Sequence, residues 1–222
     1  MADRVAGQFV PSDDARVFLG RLTRLDPMAV VRLRPVAAIG SSPSRVALWA
    51  CLPWGTLVTR EVEGPAPGDA TVAASALLDA DDGQLPQRRD SEWRWPLPPE
   101  ASEVMEEIPA ETLRQVATAA AGTLRDVSAH GLAGRTVGVR VLREALLDHV
   151  PIVVSADGDD SARIEVPQRL VQAMVRMGFL GAEAADEPSV RVRVAGRWVG
   201  LSARYGTAWL PPKSGPLTVL TG

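Results

Sequence analysis

Residues 189–194 read Ser-Val-Arg-Val-Arg-Val, a strict alternation that fits a half-buried β-strand and no helix. Val190, Val192 and Val194 share one face, while Arg191 and Arg193 share the other. Ala195-Gly196 then offers a tight turn into a second strand through Trp198 and Leu201. The preceding stretch has helical period instead. Pro167 suits a first helical turn, where its missing N–H costs nothing, and Gly178 suits the left-handed cap at the other end. Leu170, Val171, Met174 and Val175 form the apolar side of this helix, with Arg169, Gln172 and Arg176 on the other.

The first eighty residues carry a different pattern. Ser12 is a good N-cap, and Ala15, Phe18, Leu19, Leu22 and Leu25 follow at helical spacing until Asp26-Pro27, which steers the backbone out of the helix. Three β-rich runs follow, Ala29 to Val36, Arg45 to Pro53 and Thr56 to Glu63, separated by Gly40-Ser41-Ser42-Pro43 and Pro53-Trp54-Gly55. They predict an antiparallel meander with Val31, Leu33, Val46, Leu48, Leu57 and Val58 in its core. Asp69 is positioned to cap a short helix through Val72, Ala76 and Leu77.

From 80 to 99 the pattern gives way to charge, proline and glycine. Beyond it, Leu113, Val116, Ala117, Ala120, Leu124 and Val127 predict a helix that starts after Pro109 and stops near Gly131. Thr136 can cap the next, with Val141, Leu142, Ala145 and Leu146 on its buried face. Residues 151–166 read as strand, acidic turn, strand. The expected fold is α+β. A small antiparallel sheet with flanking helices occupies 1–80, a linker or long loop 81–99, a mainly helical subdomain ending in a helix plus β-hairpin 100–212, and a tail 213–222.

Charge is unevenly spread although its sum is only −3. Between Ala15 and Arg60 seven arginines face Asp26 alone, and between Glu61 and Glu111 thirteen acids face three arginines. The favoured reading is that these regions neutralise one another across the fold; the sharper one is a basic face for an anionic partner. Lys213 is the only lysine, and the arginine, alanine and glycine usage points to a GC-rich bacterial genome. No run approaches the roughly 20 apolar residues of a membrane helix. The first residues lack the order of a signal peptide, so the expected location is cytoplasmic. Cys51, the single cysteine, sits in an apolar run and is expected to be buried and inert.

Catalytic motifs are missing. There is no glycine-rich phosphate loop and no nucleophile elbow. His130 and His149 each fall at a predicted helix end, where a cation is favoured without any function. Asp79, Asp81 and Asp82, and likewise Asp157, Asp159 and Asp160, resemble fragments of a calcium loop but lack its spacing and closing glutamate, so turn chemistry accounts for them. Neither a cofactor nor a metal site is expected.

The helix of 168–176 and the hairpin after it, with Arg169, Gln172, Arg176, Arg191, Arg193 and Arg197, resemble the recognition helix and wing of a winged-helix domain. The resemblance implies that the helix reads base edges while the wing arginines bind phosphates. It departs from the usual order, because a strand pair precedes the helix. Trp93 and Trp95, one residue apart in the charged stretch, either clamp that stretch to the core or form a partner surface. Three functional classes follow. The leading one is a non-catalytic interaction or regulatory protein working through a protein partner or self-association. A winged-helix-like DNA-binding regulator is the second. The third is a small-ligand enzyme with a pocket between the halves and His149 and Asp148 as an acid–base pair.

Overall fold

The computed structural model describes residues 8–37, 43–81, 83–131, 138–156, 159–182 and 189–212. The first helix, α1 (Asp13–Leu25), opens as its sequence requires: the Ser12 hydroxyl accepts the Ala15 N–H at 3.3 Å, and Ala15, Phe18, Leu19 and Leu22 are buried. Strands β1 (Val30–Val36), β2 (Arg45–Cys51) and β3 (Leu57–Glu63) form the antiparallel meander, with Leu33 opposite Leu48 and Ala50 opposite Val58.

Asp69 does not cap a helix. Residues Ala70–Ala73 form a fourth strand, β4, on the outer side of β1, and only Ala74–Leu78 make the short helix α2. Pairing with β1 satisfies the backbone and buries Ala70 and Val72, which a helix starting at 70 would forgo. The Asp69 carboxylate instead receives Arg32, whose guanidinium donates to both of its oxygens at 2.7 Å.

Residues 84–99 fold back along β4. Arg88 bridges Val72, the Arg89 N–H donates to the Thr71 carbonyl at 2.7 Å, and Asp90 accepts the Thr71 N–H at 2.8 Å. Covering an edge strand in this way removes a site for unwanted pairing.

Next come β5 (Glu103–Pro109), α3 (Ala110–His130), α4 (Val139–Asp148), the hairpin β6 (Ile152–Ala156) and β7 (Asp159–Val166), and α5 (Gln168–Arg176). Three strands complete the described chain: β8 (Ser189–Ala195), β9 (Trp198–Ala203) and β10 (Gly206–Leu210). Gly131 and Gly178 terminate α3 and α5 with φ of 74° and 67°. On α4 the buried residues are Leu142 and Leu147, whereas Val141 and Ala145 face outward. The buried face is therefore rotated from the expected one, and the proposed Thr136 cap lies outside the described residues.

The sheet order is β4-β1-β2-β3-β10-β9-β8-β5, antiparallel throughout, and β6-β7 form a separate pair. The join between β3 and β10, with Thr59 opposite Thr207 and Leu57 opposite Trp209, carries one sheet through both halves of the sequence. Helices α1, α2, α3 and α5 cover one face. Their apolar residues meet Val31, Leu33, Leu48, Val58, Val190, Val192 and Leu201 in a single core. Phe18 of α1 stacks on Phe179 just beyond α5, with ring centroids 6.4 Å apart, and burying such a ring contributes about 1.5–3 kcal/mol.

Candidate functional site

Among the described residues the opposite face of the sheet carries no α-helix, and strand alternation sends a second set of side chains there. Leu57, Ala195, Trp198 and Trp209 form a small buried cluster, joined at its margin by Trp49, Cys51, Trp93 and Leu97. Leu57 thus belongs to this face and not to the main core, because its neighbour Val58 points at the helices. Trp95 adds a fifth indole, edge-on to Trp93 at 5.3 Å, so five of the six tryptophans gather on one side.

The 84–99 excursion is what brings Trp93 and Trp95 there. The Trp93 indole N–H donates to the Trp95 carbonyl at 2.7 Å, and the Arg32 guanidinium lies 5.6 Å from the centre of the Trp93 ring. Arg32 in turn is held by Asp69, whose carboxyl its hydrogen bonds keep below the usual aspartate range. The Asp90 carboxyl is lowered too, first by Arg88 and then by the Thr71 N–H. Trp93 is half-buried, whereas Trp95 remains 36% exposed.

Beside Trp95 lies a cleft of about 310 Å³ lined by Met28, Val30, Leu52 and Pro53, with Glu92 and Asp26 at its polar margin. Met28 is 75% exposed. Cys51 also reaches this cleft; burial pushes its thiol up to about 12, so it offers an apolar wall and no nucleophile.

The arginines singled out in the sequence do not form one surface. Val190 and Val192 point into the helix-side core, so Arg191 and Arg193 emerge on the face opposite α5. Arg191 donates to Glu107 across the β5–β8 pair at 2.9 Å, and Arg193 donates to the Ser102 hydroxyl at 2.7 Å. Arg169 ion-pairs with Asp148 and donates to the Trp54 carbonyl at 2.8 Å. Gln172 is half-buried, and Arg176 and Arg197 are exposed. The hairpin is no free wing either, since β8 pairs with β5 and β9 with β10. The winged-helix arrangement is therefore replaced by a helix laid on a continuous sheet.

The pairing of charges follows the same logic elsewhere. Arg16 meets Asp81, Arg45 meets Glu61 and Arg60 meets Asp14, at 2.9, 3.0 and 2.7 Å. The basic first quarter is largely neutralised by acids brought to it.

The His130 Nδ1–H donates to the Asp126 carbonyl in the last turn of α3, and His149 stands at the C-cap of α4. Asp148 is engaged by Arg169, which leaves His149 without an orienting carboxylate from its neighbour. Among the described residues no group of three or more His, Cys, Asp or Glu side chains could hold a metal ion. Asp82 and Asp157 lie outside the described residues, as do the side chains of Asp159 and Asp160. No helix among the described residues is long and apolar enough to cross a membrane.

Comparison with solved structures gives similarity to DNA polymerase clamps. The beta subunit of DNA polymerase from Streptococcus pyogenes matches over 90% of this chain and 62% of its own, at 11% identity and a TM-score of 0.48. The DNA polymerase sliding clamp of Pseudomonas aeruginosa matches over 93% and 63%, at 14% identity and a TM-score of 0.47. The beta sliding clamp of C. crescentus matches over 93% and 65%, at 14% identity and a TM-score of 0.45. The chain thus spans less than two thirds of the length of each. No curated protein matches it. One family model, the domain of unknown function DUF8010, matches residues 10–98, and a second matches 97–215, more than half of the chain. The chain accordingly belongs to the family defined by the domain of unknown function DUF8185.

Proposed function

We propose that the chain is a non-catalytic interaction module that receives an extended segment of a protein partner at the Trp95 end of the helix-free sheet face. The observation that supports this reading is the gathering of five of six tryptophans on that face, ending in the exposed Trp95 beside an apolar cleft. Tryptophan anchors dominate binding energy where they can be fully desolvated, and a rim of charged groups such as Glu92 and Asp26 sets orientation. Met28 contributes an unbranched thioether that repacks around different side chains. At about 310 Å³ the cleft is near the lower limit of ligand sites, of a size for an apolar side chain and not for an extended cofactor.

A displayed library of random peptides about twelve residues long, panned on the immobilised protein, tests the reading directly. Sequences with an aromatic or leucine anchor should be enriched. They should fail to bind a Met28→Ser, Trp95→Ala double variant that melts at the wild-type temperature. Lack of enrichment, or equal binding to the variant, contradicts the proposal.

A further inference from the structure

We infer that the partner segment bears a basic residue, arginine or lysine, beside its apolar anchor; this rests on the Trp95 cleft receiving such a segment and adds the sign of charge that the cleft selects. The floor of the cleft is apolar, from Val30, Leu52 and Pro53, but two carboxylates reach its rim. Asp26 stands at the C-cap of α1, and Glu92 ends the short turn Asp90–Glu92 ahead of Trp95. They come from separate elements, and a single cation beside either one is enough. Among the described residues that line the cleft there is no arginine, lysine or histidine.

Asp26 is the freer of the two. One of its oxygens accepts the Met28 N–H at 2.9 Å, and among the described residues it makes no ion pair. Glu92 is approached by Arg89 only at 3.6 Å, with both side chains well exposed. Arginines of the adjoining segments are turned elsewhere: Arg24 donates back to the Gly20 carbonyl at 2.8 Å, and Arg32 donates to both oxygens of Asp69. Arg94 precedes Trp95 but does not line the cleft. The rim is left with negative charge that its own neighbours do not answer.

An apolar floor with an acidic rim suits a segment whose anchor fills the floor while a neighbouring cation stays at the water's edge. The stem of an arginine or lysine lies along apolar surface and its charged head keeps to the rim. A guanidinium also pairs with a carboxylate as a planar fork and stacks on an exposed indole such as Trp95. A glutamate or aspartate in the same place meets Asp26 or Glu92 as a like charge, which disfavours acidic segments. Exposed pairs of this kind are individually weak, so the charge acts on selection and on the rate of encounter, and it fades with salt.

Fluorescence anisotropy of three labelled peptides, titrated with the full chain, tests it. Each is about twelve residues of glycine and serine around one tryptophan anchor, flanked on both sides by arginine, by glutamine or by glutamate. At ~20 mM salt the arginine peptide should bind about tenfold or more tightly than the glutamate peptide, with glutamine between them, and the ratio should shrink at ~200 mM. An Asp26→Asn, Glu92→Gln double variant should cut that preference to about threefold or less and leave the glutamine peptide's affinity unchanged. Asparagine keeps an oxygen to accept the Met28 N–H, so the end of α1 is preserved. Equal binding of all three peptides, lost in the Met28→Ser, Trp95→Ala variant, overturns the charge preference and leaves the apolar cleft standing. Binding by none of them overturns both. An arginine preference that survives in the Asp26→Asn, Glu92→Gln variant has its source elsewhere and also overturns the inference.

Discussion

Trp54 and Arg169 hold each other reciprocally: the indole N–H donates to the Arg169 carbonyl at 3.1 Å, and the Arg169 guanidinium donates to the Trp54 carbonyl at 2.8 Å. The pair ties the β2–β3 turn to the first turn of α5, across 115 residues of sequence. Arg169 also carries the ion pair to Asp148, so its side chain joins α5 to two other elements, the β2–β3 turn and α4. Removing the guanidinium leaves a carbonyl and a carboxylate without their donor. Arg169→Ala should lower unfolding stability by about 1.5–3 kcal/mol. Urea denaturation that shows no change would contradict this structural role.

Gly200 lies directly opposite Trp209 across β9 and β10, and a Cβ at 200 would sit 2.5 Å from the indole. The ring cannot slide away, because Leu57 and Trp198 pack around it. Gly200→Ala should therefore cost about 1–3 kcal/mol by overpacking. The same change should shift tryptophan fluorescence. A variant as stable as wild type would mean that the helix-free cluster is loosely packed.

The carboxyls of Asp69 and Asp90 are both held below their ordinary range, by Arg32 and by Arg88 respectively. A lowered folded-state value means stability that is fully present above the unfolded value, about 3.9, and is lost as pH falls further. Both side chains are about half exposed, so solvent screening holds each contribution to roughly 1 kcal/mol or less. Asp90→Asn should flatten the acid limb of the stability curve below pH ~4. It should also speed deuterium exchange at the Thr71 amide, which Asp90 accepts. An unchanged acid limb would show that the excursion is held by its tryptophans alone.

Cys51 should be almost inert towards thiol reagents in the folded chain, since burial pushes its thiol up to about 12. At pH 8 that leaves roughly one thiolate in ten thousand, against about a quarter for a free cysteine. Labelling with a disulfide reagent should be slow in buffer and fast in denaturant. Equal rates would place the thiol in the open.

Much of the first half was legible because its signals are local. The Ser12 cap, the Asp26-Pro27 stop and the alternation of the three meander strands each lie within a few residues. Strand β5 was not legible. In Glu103–Pro109 only Ile108 is buried, so the run carries charge where a strand pattern would carry alternation, and its pairing depends on contacts such as Glu107 with Arg191. The join of β3 to β10 is a long-range pairing that no local pattern announces. The candidate surface was half visible. Trp93 and Trp95 stand out in a charged stretch, but Met28, Trp198 and Trp209 join them only through the sheet. The six residues of the expected DNA face share helical and strand periodicity, which records the exposed side of an element and not the side of the sheet to which that element belongs.

The most direct test of the interaction module is calorimetric titration of one selected peptide into three forms of the chain: wild type, the Met28→Ser, Trp95→Ala double variant, and Arg197→Gln. Arg197 lies in the exposed β8–β9 turn, away from the cleft. Affinity should fall about tenfold or more, worth ~1.4 kcal/mol or more, in the double variant and stay unchanged in Arg197→Gln. Unchanged affinity in the double variant, or a loss confined to Arg197→Gln, would contradict the account and move the binding surface to the arginine-bearing turn.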